Sequence, residues 1–144
     1  MKKQKIFVDS NVIISGTFFP GLESVVLRIV DADIISADIC YEEVLEVARR
    51  KFKNFRIEEK IIALEEVKKS FEGIKIIREN GYKGKMKEAS KFVRGKNDRK
   101  VLAAVLAVRP DFFVTGDKHF HTRGVREKVK VVTTRESLRS LKYV

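Results

Sequence analysis

Five short apolar runs, separated by longer amphipathic stretches, constrain this chain more than any other feature of its sequence. Lys5-Ile6-Phe7-Val8-Asp9 reads as a buried strand that ends on a carboxylate. Asp33-Ile34-Ile35-Ser36-Ala37, Ile74-Lys75-Ile76-Ile77, Phe112-Phe113-Val114-Thr115 and Lys130-Val131-Val132-Thr133 read as four more strands. From Leu22 onward, Val25, Val26, Ile29 and Val30 recur at helical spacing. Val44, Leu45, Val47, Ala48 and Phe52 mark one side of a helix that Asp38 is placed to cap. Ile61, Ile62, Leu64, Val67 and Phe71 are the apolar set of a helix over 57–71, closed by Gly73. Another helix runs from about Asp98 to Arg109 and stops at Pro110. Thr133-Thr134-Arg135-Glu136 has the form of a capping box opening a last helix. Phe18-Phe19-Pro20-Gly21 reads as a loop, and no element is assigned to Val12-Ile13-Ile14 before it. Strands alternating with helices imply an α/β domain: a parallel sheet with helices on both faces. The 144 residues suit one domain, 1–144, with no repeats and no low-complexity segment.

The charge balance points to the partner. Lys and Arg number 31 against 20 Asp and Glu, a net charge of +11, which favours a polyanion. Eight of those cations (Lys83, Lys85, Lys87, Lys91, Arg94, Lys96, Arg99 and Lys100) crowd into residues 81–100, against only Glu88 and Asp98. Gly81, Gly84 and Gly95 break this stretch up, so a short helix near Lys87–Val93 between two flexible basic loops is expected. A solvated charge run is the plain alternative; contact with nucleic acid is the favoured one. The Gly81 and Gly84 spacing lacks the Lys-Ser/Thr ending of a P-loop. No apolar run approaches a membrane span, and the basic start meets Asp9 too soon for a secretory leader, so a cytoplasmic protein without a membrane partner is expected. Cys40 is the only cysteine, which fits a reducing compartment. The single Gln4 beside abundant Lys and Glu leans toward a thermophilic source.

Ligands of open parallel sheets bind outside the carboxyl ends of the strands. Asp9 ends the first strand and Asp117 follows the fourth. Asp98 opens the helix that leads into the fourth strand, and Glu43 lies in the first turns of the helix after the second. All four can therefore converge on one edge. Convergent carboxylates repel one another and need a cation, and an all-oxygen set suits Mg²⁺ or Mn²⁺. Each residue also has an ordinary reading. Asp9 is a polar strand end, Asp98 suits a helix N-terminus, Asp117 suits the turn after Gly116, and Glu43 competes with Glu42 and Glu46 on a glutamate-rich helix. Ser10 and Asn11 either support Asp9 or only form a turn. His119 and His121 read as surface residues near the site rather than as a transition-metal pair.

Four segments together resemble the PIN-domain family. Ile6-Phe7-Val8-Asp9-Ser10-Asn11-Val12 is similar to its opening motif. Glu43-Val44, Val47 and Arg49-Arg50-Lys51-Phe52 resemble the second, Asp98 to Ala104 the third, and Phe113-Val114-Thr115-Gly116-Asp117-Lys118 the fourth. The resemblance covers essentially the whole chain. It implies a three-layer α/β/α sandwich with a parallel sheet of about five strands. It implies one or two Mg²⁺ or Mn²⁺ ions held by Asp9, Glu43, Asp98 and Asp117, with Ser10, Asn11 and Thr115 as supporting polar residues. It implies an endoribonuclease that hydrolyses RNA phosphodiesters with metal-activated water. Length and motif wording resemble the toxin subgroup of toxin–antitoxin pairs, which implies an antitoxin partner and a homodimer. The chain departs from the family where many relatives carry a further Asp: it has His119. Its basic insertion at 81–96 is also long for the subgroup. Rival readings are a non-cleaving RNA-binding or assembly module, a DNA or RNA-processing nuclease outside a toxin–antitoxin pair, and a phosphatase using Asp9 as nucleophile. The last lacks the second Asp it needs, because position 11 is Asn11.

Overall fold

The structure, a computed structural model, describes residues 3–29 and 31–142. Val30, part of the helical spacing noted above, lies outside the described residues. Five strands form one parallel sheet in the order β3-β2-β1-β4-β5, with β1 at Gln4–Val8, β2 at Ala32–Ala37, β3 at Ile74–Ile77, β4 at Phe112–Val114 and β5 at Val131–Val132. The chain builds outward from β1 on one side, then crosses to build β4 and β5 on the other. The crevice where strand order reverses therefore lies between β1 and β4, where Val8 pairs with Val114.

Both faces of the sheet are dry, as parallel sheets require. Side chains alternate along β1, so Phe7 joins one core and Ile6 and Val8 join the other. On the Phe7 side, α7 (Lys96–Val108) buries Val101, Leu102, Ala104 and Val105 beside Phe113. On the opposite side Val8, Ile34 and Val114 meet α1 (Ser10–Phe18), α2 (Leu22–Leu27), α3 (Asp38–Lys51), α4 (Ile57–Glu72) and α9 (Thr134–Ser140). The result is the three-layer α/β/α sandwich. The capping box of α9 is present in both directions: Thr133 Oγ1 accepts from the Glu136 amide and Glu136 Oε1 from the Thr133 amide.

Four local readings are corrected. Ser10–Phe18, with Val12-Ile13-Ile14 unassigned from sequence, is helical. Its β-branched residues and Gly16 are weak helix formers. Burial of Val12 and Ile13, together with the Asp9 cap at its start, outweighs that weakness. In α4 the buried residues are Ala63 and Val67, whereas Ile57, Ile61 and Ile62 are 69%, 56% and 61% exposed. The helix turns its small residues to the body and leaves the larger apolar ones outside. Asp38 is the first residue of α3 and not its cap; its carboxylate accepts from the Ile39 and Glu79 amides and from the Tyr82 hydroxyl at 2.7, 3.0 and 2.5 Å.

Those last bonds tie the start of the basic stretch to α3. Residues 81–100 form short helical turns up to Ala89, where the first loop is expected from sequence, and the loop before α7 is confined to 90–95. They run through α5 (Glu79–Tyr82), a 3₁₀ turn at Lys83–Lys85, α6 (Met86–Ala89) and the start of α7. Tyr82, Ala89 and Val93 are sunk in the α7-side core. Charge alternating with these anchors hides the apolar period from a reading of the sequence.

Candidate acidic active site

Asp9 stands at the floor of the crevice, only 5% exposed. Its Oδ1 accepts from the Ser10 amide at 2.8 Å, so it caps α1. Its Oδ2 accepts from the Thr115 hydroxyl at 2.7 Å. Thr115 is itself fully buried, and its Oγ1 also accepts from the Asp117 amide at 3.0 Å. One hydroxyl thus ties the residue after β1 to the turn after β4. Burial raises the Asp9 pKa above its ordinary value; the Thr115 and Ser10 bonds oppose the rise, and Asp117 and Asp98 add to it.

The other acids surround that floor. Asp98 lies in the first turn of α7, which runs back along the sheet so that its N-terminus reaches the carboxyl edge. A Cβ on Gly95 would meet Asp98 Oδ2 at 3.2 Å, so glycine there leaves room for the carboxylate to fold over the helix end. Desolvation first, and Asp117 second, raise the Asp98 pKa, while His119 lowers it. Glu43 is half-buried on α3, and its pKa is raised to about 7 by burial, then by Asp9, Asp98 and Asp117, with the Ser10 hydroxyl opposing. Its neighbours Glu42 and Glu46 are exposed. The fold therefore brings Asp9, Glu43, Asp98 and Asp117 into one electrostatic cluster. Asn11 is exposed, its Nδ2 about an ordinary contact distance from a Cβ placed on Gly116.

Among the described residues no Lys or Arg makes an ion pair with any of these four carboxylates. In a chain of net charge +11, such uncompensated acid is what a bound cation would match. The donor chemistry fits a divalent ion. Ligand atoms of Asp98, Asp117 and His119 all lie within 4.8 Å of one another, and Asp9 and Glu43 interact electrostatically with Asp98 and Asp117.

His119 is no bystander to the cluster. Its Nδ1 is 3.1 Å from Asp98 Oδ2 and 3.4 Å from Asp117 Oδ1. His121 is internal support: its Nε2 bonds the Thr115 carbonyl at 2.7 Å, and its Nδ1 meets Arg126 at 3.4 Å. A proton on Nε2 satisfies both contacts. The sequence carried a signal for these roles, two histidines immediately after the fourth acid, without the geometry to divide them.

The cations of 81–100 do not form one patch. Lys85 sits with Glu88 in a groove beside Val105, Leu106 and Arg109, at the end of α7 far from Asp98. Arg99 is half-buried and its Nε donates to the Val93 carbonyl at 3.2 Å, which holds the turn before α7. Lys83, Lys87, Lys91, Arg94 and Lys96 are exposed, and Lys100 is half-buried. Lys118, and Arg123 and Arg126 of α8 (Arg123–Arg126), are exposed basic residues within nine positions after Asp117 and were not singled out from sequence.

A parallel α/β/α domain with an unneutralised carboxylate cluster at its switch point defines the class. The model of the PIN domain family matches residues 7–142, and the chain belongs to that family. Its fold is similar to VapBC2 from Rickettsia felis, solved bound to a DNA fragment from the promoter, with a TM-score of 0.64 and 15% identity over 90% of this chain and 98% of that one. It is also similar to VapBC-1 from nontypeable Haemophilus influenzae, with a TM-score of 0.60 and 18% identity over 91% of this chain and 98% of that one. At these identities the likeness is one of fold. Among curated proteins none matches the chain in sequence. No helix among the described residues is long and apolar enough to cross a membrane.

Proposed function

We propose that the chain, residues 1–144, is a divalent-metal-dependent endoribonuclease that acts in the cytoplasm as the toxin of a toxin–antitoxin pair. The observation that carries this is the meeting of Asp9, Glu43, Asp98 and Asp117 without a basic partner, in a domain of the PIN family. When bound, Mg²⁺ or Mn²⁺ neutralises the acids, polarises a phosphodiester and lowers the pKa of water. Asp9, Asp98 and Asp117 would hold one or two such ions, with Glu43 contributing directly or through water. Thr115 and Ser10 fix the Asp9 carboxylate by the bonds described above, and Asn11 stands at the rim. The exposed cations that most closely precede Asp98 in sequence, Lys96 and Arg94, grip the RNA backbone, with Lys83, Lys85, Lys87, Lys91, Arg99 and Lys100 extending the positive field. Similarity to the two VapBC structures supports an antitoxin partner, and the uncovered Ile57, Ile61 and Ile62 support a protein contact such as a homodimer.

The test is cleavage of labelled single-stranded RNA and DNA with Mn²⁺, Mg²⁺ or EDTA, beside Asp9→Asn. The expected result is metal-dependent RNA cutting that disappears in the variant, whose circular dichroism matches the wild type. Cutting by Asp9→Asn at the wild-type rate refutes the assignment. Salt-sensitive RNA binding with no cutting under any metal would move the chain to a non-cleaving RNA-binding role.

A further inference from the structure

The four acids leave one neighbour unexplained. His119 has an imidazole 65% exposed, yet it is not free to wander. It sits in the 3₁₀ turn Lys118–Phe120, whose last residue is 1% exposed and packed edge-on against Phe113 with ring centroids 5.0 Å apart. Phe113 in turn meets Phe7 of β1 at 5.6 Å. At its other end the turn is capped by Asp117, whose Oδ1 accepts from the His119 amide at 2.9 Å. The backbone that carries the ring is thus bolted to the sheet on one side and to a site carboxylate on the other.

The ring uses that placement to aim Nδ1 at two carboxylates at once, 3.1 and 3.4 Å away, while its Nε2 makes no hydrogen bond to the protein among the described residues. Those separations have a second meaning. Metal–ligand bonds of about 2.1 Å place adjacent ligand atoms of an octahedral ion about 3 Å apart. His119 Nδ1 already stands at roughly that spacing from both Asp98 Oδ2 and Asp117 Oδ1, and ligand atoms of the three residues lie within 4.8 Å of one another.

We propose that His119 Nδ1 is a ligand to the divalent cation held by Asp98 and Asp117, and that this nitrogen makes the site select Mn²⁺ over Mg²⁺. The inference rests on the metal-dependent reading above. Mg²⁺ favours oxygen and gives up its water reluctantly. Imidazole nitrogen suits transition ions, and Mn²⁺ accepts carboxylate and imidazole together. An aspartate at position 119 would complete an oxygen-only set instead, so the residue at this position sets the choice of ion.

The experiment is metal binding to the purified full chain, read by calorimetry for Mg²⁺ and Mn²⁺ and by nitrogen modulation in pulsed electron spin resonance of bound Mn²⁺. Wild type, His119→Asp and His119→Ala are compared; His119 is exposed enough that both variants fold, and circular dichroism checks this. The expected result is an imidazole-nitrogen coupling in the wild type that both variants lose. The Mn²⁺ to Mg²⁺ affinity ratio should fall about tenfold or more in each variant, most of it from weaker Mn²⁺ binding. Stoichiometric Mn²⁺ with no such coupling and an unchanged ratio overturns the role of His119 while leaving the cation site standing. Failure of the wild type to bind either ion overturns both readings.

Discussion

Replacing Glu43 with Gln should stabilise the metal-free protein, and only above mildly acidic pH. The side chain keeps its shape but loses a charge that Asp9, Asp98 and Asp117 all oppose. The Glu43 pKa climbs from the ordinary 4.5 to about 7, with burial as the largest cause. On a fully sequestered group that climb corresponds to roughly 3 kcal/mol of lost stability once the group is ionised. Glu43 is only half-buried, so solvent screens part of it and about 1–2 kcal/mol is the reasonable figure. The sign follows from the direction of the shift. A raised folded pKa favours the folded state at low pH, and the benefit is lost as pH rises through about 7. In EDTA, wild type and Glu43→Gln should therefore unfold alike near pH 4.5. They should separate progressively to pH 8, where the variant melts roughly 3–8 °C higher. Thermal unfolding by circular dichroism at several pH values measures this. Saturating Mn²⁺ should reverse the order, because the ion stabilises the native wild type by mass action. Parallel pH profiles, or a variant less stable at pH 8, would refute the claim that Glu43 faces the other acids.

Two further outcomes follow from single bonds. Thr115→Val removes the hydroxyl that donates to Asp9 and accepts from the Asp117 amide. The Asp9 pKa should then rise further, and the pH midpoint of Mn²⁺ binding, followed by calorimetry, should move upward with it. Tyr82→Phe takes the phenol from Asp38 and should cost about 1–2 kcal/mol in urea unfolding, with hydrogen exchange speeding up across residues 79–93.

The parts of this architecture legible in the sequence are those where one physical cause acts alone. Ile6-Phe7-Val8 and Phe112-Phe113-Val114 are apolar on both faces because the sheet is covered on both, and no polar residue interrupts them. Thr133 and Glu136 cap α9 by a purely local exchange of bonds. Asp9 and Asp117 gain their place from the strands they follow. The features that were not legible depend on distant partners. Helix α1 exists because Val12 and Ile13 find a core, against the propensity of its own residues. The helical turns from Glu79 to Lys85 are tied to α3 through Tyr82, which reaches Asp38, 44 positions earlier, an arrangement no local pattern encodes. Glu43 can be separated from Glu42 and Glu46 only when the rotation of α3 is known.

The cluster divides into an inner and an outer half, and the division has a consequence. Asp9 and Thr115 are buried, bonded to each other, and laid down by the central strands β1 and β4. Cys40 lies fully buried beside them, its thiol pKa pushed up chiefly by burial and then by Asp9, so it packs as an inert apolar residue and offers no thiolate. Asp98, Asp117 and His119 stand in partly open positions on a helix end and a short turn. A substitution in the inner half disturbs the packing of two strands as well as the charge. A substitution in the outer half changes what the site binds at little cost to the fold. Position 119 belongs to the outer half, with Phe120 holding the turn in place whatever side chain precedes it. The acidic floor of Asp9 can therefore stay fixed by the sheet while the rim of Asp98, Asp117 and position 119 varies in what it binds.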